Sequence, residues 1–215
     1  MVILLLGLGI GIMLRATRSD APLEEAPHVS EADPTRPAGI DDQTLSRVSP
    51  GPEKAEGWLD DFQLTERSGE EWTRSKLAGK PYVASFFFST CPSICKLQNE
   101  KLQQLQTAFS GQGVRFVAIS VDPEIDTPEV LREYAKRYNA DPEQWLFFTG
   151  EMSHIRRVGA EMFEVAVNKK FHTEKFILVN PAGDVVGYYT WTDESQFSRL
   201  KKDIAQLVAA GEGAS

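Results

Sequence analysis

The sequence predicts an α/β domain that begins near Trp58, because strand and helix patterns alternate from there almost to the end of the chain. Two apolar runs, YVASFFF (residues 82–88) and VRFVAISVD (114–122), have the length and continuous hydrophobicity of buried strands. Apolar residues recur at helical intervals between and after these runs. The chain of 215 residues, 41% of them hydrophobic, is long enough for one such domain with appendages.

Turn residues and apolar spacing predict the first elements of this domain. The segments FQLT and EEWT flank the turn-prone RSGE, which predicts an opening β-hairpin. The strand YVASFFF follows. A helix is then predicted up to Gly111, because apolar residues recur at roughly helical intervals: Ile94, Leu97, Leu102, Leu105 and Phe109. The strand at 114–122 completes a strand–helix–strand unit.

A second helix is predicted from Thr127 and Pro128, which form a helix-start signature. Its apolar face consists of Val130, Leu131, Tyr134, Ala135 and Tyr138. The segment WLFFTG predicts another short strand, and Ser153 is predicted to cap a helix that extends through Phe163. The segment FILVNPAGDVVGYYTW predicts two strands around the turn-forming NPAGD. The last helix carries Phe197, Leu200, Ile204 and Leu207, and is predicted to end at Gly211.

The charge and composition exclude several classes of function. A net charge of −8 and a pI near 5.0 disfavour binding of nucleic acid or of acidic substrates. The sequence contains no phosphate-binding loop, GxGxxG signature or internal repeat. Two cysteines are too few for a disulfide-stapled scaffold, so their clustering indicates a site.

Residues 1–19 are predicted to form a membrane anchor or an uncleaved signal segment. The apolar run Val2–Leu14 would form a helix about 20 Å long, which is short for a membrane span. Arg15 and Arg18 follow this run, and the positive-inside tendency alone would place the domain in the cytoplasm. A start codon upstream of Met1 would add a basic region and reverse this orientation.

Residues 20–56 are predicted to be a disordered acidic tether. This segment holds six of the twelve prolines and nine acidic residues against three basic ones. Such a composition buries too little apolar surface to offset the entropy of ordering the chain. The predicted organisation is therefore an anchor, a tether, a folded domain at 57–210 and a flexible tail at 211–215.

Both cysteines lie in FFFSTCPSICKLQNE (residues 86–100), four residues apart. Cys91 follows a buried strand, Ser89 or Thr90 is placed to cap a helix, and Pro92 suits its first turn. On a helix, residues four apart share a face with β-carbons about 5–6 Å apart. This spacing permits a redox-active disulfide or two thiolates on one metal ion, and it does not exclude inert buried cysteines or a structural disulfide.

The helix N-terminus and the neighbouring Lys96 are both expected to favour the thiolate form of Cys91. The thiolate is the form that reacts in disulfide exchange and that binds metal ions.

Three segments resemble motifs of the SCO1/SenC copper-chaperone family, in the same order along the chain. FFFSTCPSIC is similar to its active-site segment, VDPEIDTPEVLREYAKRY to its Asp-Pro loop and following helix, and FHTEKFILVNPAGDVVGYYTWTD to its histidine segment and hairpin. The resemblance extends from about Trp58 to Val208. It implies a thioredoxin-like fold with a central mixed sheet flanked by helices. It also implies that Cys91, Cys95 and His172 bind copper, as Cu(I) or Cu(II).

Two residues depart from the family pattern. Lys96 follows the second cysteine where the family commonly has Pro, and Ile125 lies in the Asp-Pro loop where Arg is frequent. Neither change removes a ligand. Lys96 would repel an incoming cation, so the departure bears on copper affinity.

The resemblance implies a copper chaperone tethered to the cytoplasmic membrane, with its domain on the periplasmic side. It would deliver copper to the copper-accepting subunit of cytochrome c oxidase for assembly of the binuclear copper centre, and a thiol reductase would keep its cysteines reduced. The enzymatic alternative is a thiol-disulfide oxidoreductase in which Cys91 attacks and Cys95 resolves the mixed disulfide. A peroxiredoxin relative is a third alternative, and it is the least favoured.

The two other histidines receive no role in the predicted site, and the acidic and basic residues of the motifs are expected to be mainly structural or solvated. His154 and His28 are expected to be solvated, and Asp122 and Asp126 are expected mainly to end a strand and cap a helix, although both are also candidates for orienting the ligands. Lys169 and Lys170 precede His172 and are expected to form a solvated pair; a positive rim for an acidic partner is the alternative.

Overall fold

The computed structural model describes residues 62–171 and 173–212. The predicted anchor, tether and tail therefore stay predictions, apart from the first two tail residues, and His172 also lies outside the described residues. Within the described ranges, no helix combines the length and the hydropathy needed to cross a membrane.

Seven strands and five α-helices make up the described structure, with a π-helical turn at Val158–Met162 that directly continues the fourth helix. The elements in chain order are β1 Gln63–Glu66, β2 Glu71–Thr73, α1 Arg74–Leu77, β3 Tyr82–Phe87, α2 Ile94–Ala108, β4 Arg115–Ser120, α3 Pro128–Lys136, β5 Trp145–Thr149, α4 Met152–Arg157, β6 Lys175–Val179, β7 Val185–Thr190 and α5 Glu194–Glu212.

The strands form one mixed sheet in the order β2-β1-β5-β4-β3-β6-β7. Strands β3, β4 and β5 are parallel, whereas the hairpin β1–β2 and the strands β6 and β7 pair antiparallel with their neighbours. Because β6 runs antiparallel to β3, the amino end of β6 lies at the same edge of the sheet as the carboxyl ends of β3 and β4. We call this edge the site edge, since all three sequence motifs reach it.

Strand β3 is buried at every position, as its continuous apolar run predicts. On one face, the rings of Tyr82 and Phe86 pack edge-on against Phe163, with ring centroids 6.5 and 6.0 Å apart. On the other face, Phe87 stacks on Tyr134 of α3 at 5.3 Å. The end of β3 is therefore held between two layers, and this fixes the point from which the cysteine segment departs.

Two predicted helix starts are wrong in detail. The helix α2 begins at Ile94, so Cys91 and Pro92 precede it, and its N-cap residue Ser93 makes no capping hydrogen bond through its side chain. The cap of α4 is Glu151, not Ser153, because the Glu151 carboxylate accepts hydrogen bonds from two free N–H groups of the first turn.

Two helix ends also differ from the prediction. The segment up to Phe163 is α-helical only as far as Arg157, beyond which it forms the π-helical turn. A β-carbon on Gly159 in this turn would lie 2.3 Å from the side chain of Val167, so glycine permits the close approach of the following loop. The helix α5 passes through Gly211 and ends at Glu212 in the described part of the chain.

The predicted cap of α3 is confirmed, and it gives a test of the fold. The hydroxyl of Thr127 accepts a hydrogen bond from the N–H of Val130. We expect Thr127→Ala to lower the free energy of unfolding by about 1 kcal/mol, because a free N–H group loses its partner. Urea denaturation followed by circular dichroism measures this, with Thr107→Ala as the control, since Thr107 is an exposed helical residue that bonds only its own helix. Equal effects of the two changes would contradict the capping role.

Candidate metal and thiol site

The two cysteines lie together at the site edge. Cys91 is partly exposed in the turn after β3, Cys95 is buried in the first turn of α2, and both are free thiols. The N–H of Cys95 donates a hydrogen bond to Sγ of Cys91 at 3.4 Å. The spacing of four residues therefore brings the two thiols together as predicted, even though only Cys95 belongs to the helix.

The surroundings of the two thiols shift their pKa values in opposite directions. Burial opposes ionisation of Cys91, but the N–H groups of Cys95, Ser93 and Ile94, together with the Cys95 thiol, outweigh burial and lower the pKa of Cys91. Burial raises the pKa of Cys95 to about 12. Lys96 was expected to help stabilise the Cys91 thiolate, but its ammonium group points to Glu100, with Nζ and Oε1 3.9 Å apart. The free N–H groups at the start of α2 stabilise the thiolate instead.

A buried carboxylate holds the cysteine segment in place. Asp126 accepts hydrogen bonds from the N–H of Ser89 at 3.0 Å, from the Ser89 hydroxyl, and from the Ser120 hydroxyl at 2.5 Å. We expected this residue to end a strand or cap a helix, and that expectation is wrong, because Thr127 caps α3. Asp126 instead ties the segment between β3 and α2 to the end of β4.

The segment before His172 is attached to the same loop after β4. The N–H of Lys170 donates to the carbonyl of Val121 at 3.2 Å, and Nζ of Lys170 lies 3.5 Å from Oδ2 of the buried Asp122. Lys169 pairs with Glu124 at 2.6 Å. Both lysines are exposed, as expected of a solvated pair, and in addition both ammonium groups contact carboxylates of this loop.

The loop at 121–127 therefore connects the other two motif segments at the site edge. Two of the three predicted ligands, Cys91 and Cys95, are brought together, whereas the position of His172 lies outside the described residues. In the described ranges, no group of three or more His, Cys, Asp or Glu side chains is arranged to hold a metal ion. His154 lies elsewhere, where its Nε2 accepts a hydrogen bond from the N–H of Gln63.

A groove beside Cys91 was not predicted from the sequence. It has a volume of about 320 Å³ and lies between α2 and α3, with Cys91 and Pro92 at one end and Tyr134, Arg137 and Tyr138 along one wall. Tyr134 and Tyr138 could have indicated this groove in the sequence, because each carries a hydroxyl group, but we assigned both to the apolar face of the helix. Their hydroxyl groups face each other at 3.4 Å.

A mixed sheet with adjacent thiols at the carboxyl end of a central strand defines a protein of the thioredoxin-like class, as expected. The profile of the SCO1/SenC family matches residues 51–209, and the chain belongs to this family.

Individual relatives agree with this assignment. A SCO1 protein homolog of Bacillus subtilis is 27% identical over 155 residues, which cover 68% of this chain and 80% of the relative. The crystal structure of yeast Sco1 with copper bound has a TM-score of 0.57 and 26% identity, and the match covers 71% of this chain and 88% of that one.

BsSco is described as a member of the Sco family of cytochrome c oxidase assembly proteins with a disulfide switch. Its structure matches with a TM-score of 0.64 and 26% identity, over 71% of this chain and 94% of BsSco.

The opposite pKa shifts predict selective alkylation of one thiol. Because only the thiolate reacts, Cys91 should react with iodoacetamide at a lower pH than a cysteine in the urea-unfolded chain, whose pKa is not lowered. Cys95 should stay unmodified across the same pH range, since its pKa is raised to about 12. Mass spectrometry of the reduced chain at a series of pH values measures both rates. Faster labelling of Cys95 than of Cys91 would contradict the assignment.

The role of Asp126 predicts a local change in the cysteine segment. We expect Asp126→Asn to destabilise the fold by about 2 kcal/mol, because an amide cannot accept all three hydrogen bonds of the buried carboxylate. Hydrogen exchange of residues 88–93 should accelerate as well. The control is Glu124→Gln, which alters an exposed carboxylate of the same loop. Unchanged exchange in Asp126→Asn would show that the carboxylate does not hold the segment.

Proposed function

We propose that this chain binds copper and delivers it for assembly of the binuclear copper centre of cytochrome c oxidase. The observation that carries the proposal is the pair of adjacent thiols at the site edge, one of them with a lowered pKa, in a chain that belongs to the SCO1/SenC family. Yeast Sco1 binds copper, and BsSco belongs to the oxidase assembly proteins, which supports the same role here.

The proposed copper ligands are Cys91, Cys95 and His172. Soft thiolates select Cu(I), and an added imidazole gives a site that also accepts Cu(II). The anchoring of Lys170 to the loop at 121–127 supports this ligand set, because Lys170 lies two residues before His172. Cys95 must lose its proton when copper binds, so copper affinity should rise with pH.

Transfer to the partner is proposed to proceed by ligand exchange. A cysteine of the copper-accepting subunit would replace Cys91 first, because Cys91 is partly exposed and Cys95 is buried. The partner's next cysteine would then displace Cys95 from a copper ion of low coordination number. Loading requires both thiols to be reduced, which calls for a thiol reductase in an oxidising compartment.

The location that suits this role is the outer side of the cytoplasmic membrane. We propose that residues 1–19 anchor the chain and that residues 20–56 act as a flexible tether. The domain would then reach a membrane-bound oxidase subunit on the periplasmic side.

A second candidate function is supported by the opposite pKa shifts of the two thiols. In a thiol-disulfide oxidoreductase, the Cys91 thiolate attacks a disulfide of the partner and releases one partner thiolate. Cys95 then loses its proton and attacks Sγ of Cys91, which leaves a Cys91–Cys95 disulfide and a reduced partner. This reaction requires neither copper nor His172.

Copper titration distinguishes the two candidates. The reduced full chain should bind one copper ion, and the Cu(II) form should show a thiolate-to-copper charge-transfer absorption. We expect His172→Ala to shift this absorption and to weaken binding about tenfold or more, because the imidazole ligand is lost. The matched control is His154→Ala, which removes an imidazole that contacts Gln63 and should leave copper binding unchanged.

The same variants also show which result would favour the thiol-disulfide oxidoreductase. A wild-type chain that binds copper no more tightly than Cys95→Ser, yet reduces protein disulfides at a rate unaffected by His172→Ala, would exclude the chaperone function.

A further inference from the structure

The groove beside Cys91 has the features of a docking site for an extended peptide segment. It starts at the partly exposed thiol and extends between α2 and α3. Lys96, Glu100 and Gln103 of α2 line one side, and Tyr134 of α3 lines the other together with Arg137 and Tyr138, which directly follow α3. Cys95 is not among its lining residues. A reaction partner that enters this groove therefore meets Cys91 first.

The side chains in the walls of the groove are held by contacts within the domain. The ring of Tyr134 is stacked on Phe87, and its hydroxyl accepts a hydrogen bond from the buried Asn99 at 2.8 Å. The side chain of Gln103 donates to the carbonyl of Tyr138 at 2.6 Å, which joins α2 to the turn after α3. A preformed groove costs a partner little conformational entropy beyond that of its own chain.

The charges along the groove favour an acidic occupant. Arg137 lies over the ring of Tyr134, with Cζ 5.6 Å from the ring centroid, and no carboxylate of residues 62–171 or 173–212 lies within ion-pair distance of it. Lys96 is 69% exposed and only 3.9 Å from Glu100. Two cations therefore face one carboxylate, in a chain whose net charge is −8.

Apolar exposure at the site edge also indicates that a protein docks there. In the described part of the chain, five large apolar side chains are exposed, and four of them belong to segments at this edge: Leu97, Ile125, Val130 and Phe171. Exposed apolar side chains at the edge of the sheet that carries the thiols favour a partner-binding surface.

We propose that the groove binds an extended segment of the copper-accepting partner, in which an acidic residue lies about three residues from the cysteine that reacts with Cys91. The spacing follows from the length of the groove along α2: Lys96 to Gln103 spans about 10 Å at 1.5 Å per residue, and Gln103 bonds the carbonyl of Tyr138, the neighbour of Arg137. An extended chain covers this length in about three residues. The inference rests on the proposed function for the identity of the partner, whereas its chemistry depends only on Cys91 and Arg137.

Peptide exchange with the full-length Cys95→Ser chain in nonionic detergent tests this inference. The probes are short synthetic peptides whose cysteine is joined by a disulfide to thionitrobenzoate. The Cys91 thiolate attacks the peptide sulfur, a disulfide forms between Cys91 and the peptide, and thionitrobenzoate leaves as a coloured thiolate. Without Cys95, the mixed disulfide is not resolved.

One peptide carries Asp three residues from the cysteine, a second carries Asn there, and a third carries Asp six residues away. We expect the first to react about two to five times faster than the others at low salt, as for an exposed ion pair, and the difference to fade at high salt. The ratio of rates cancels any change in the reactivity of Cys91 itself.

Charge variants assign the effect to the groove. Arg137→Gln should bring the ratio of rates to about one, and Glu100→Gln should increase it, because the opposing carboxylate is removed. The matched control is Arg156→Gln, which removes the same charge from an exposed position of α4 outside the lining of the groove, and it should leave the ratio unchanged.

Either of two results would overturn the inference: equal rates for the peptides, or an equal effect of Arg137→Gln and Arg156→Gln on the ratio of rates. Copper titration of the same variants keeps this test separate from that of the proposed function. Loss of peptide selectivity with intact copper binding refutes the groove alone, and selectivity without copper binding refutes the copper function alone.

Discussion

The buried carboxylate of Asp126 is the interaction on which the geometry of the site depends. Asp126 accepts hydrogen bonds from Ser89 on the cysteine segment and from Ser120 at the end of β4. A carboxylate in such a position is costly to bury unless its oxygens are hydrogen-bonded, so the fold tolerates it only in this arrangement. The loop that contains it also contacts Lys169 and Lys170, so one loop sets the positions of the segments on both sides.

The asymmetry of the two thiols follows from this geometry. The cysteine segment turns before α2 begins, which leaves Cys91 partly exposed within reach of free N–H groups and places Cys95 beneath it in the core. Both proposed chemistries therefore begin at Cys91, whether the incoming group is a copper ion, a cysteine of a metal acceptor or a disulfide. The groove between α2 and α3 leads to Cys91, so it defines the direction from which a partner would reach this thiol.

Most of the fold was predictable, because local patterns and burial agree along this chain. The hairpin around RSGE, the continuous apolar runs of β3 and β4 and the Thr127–Pro128 helix start all appear as expected. The errors at helix starts arise from contacts that the apolar pattern does not encode. Glu151 replaces Ser153 as the cap of α4 because its longer side chain accepts from two N–H groups, and the start of α2 moves to Ile94 because the segment before it is held by Asp126.

The sequence by itself determined the α/β class, the proximity of the Cys91 and Cys95 thiols, and the family. These features depend on the order of elements and on residues a few positions apart. The tertiary structure alone decided which carboxylate holds the cysteine segment, which groups lower the pKa of Cys91 and where a groove opens beside Cys91. These features join residues such as Ser89 and Asp126, which are 37 positions apart in the chain. Contacts of this range depend on the packing of strands and helices, which no local pattern specifies.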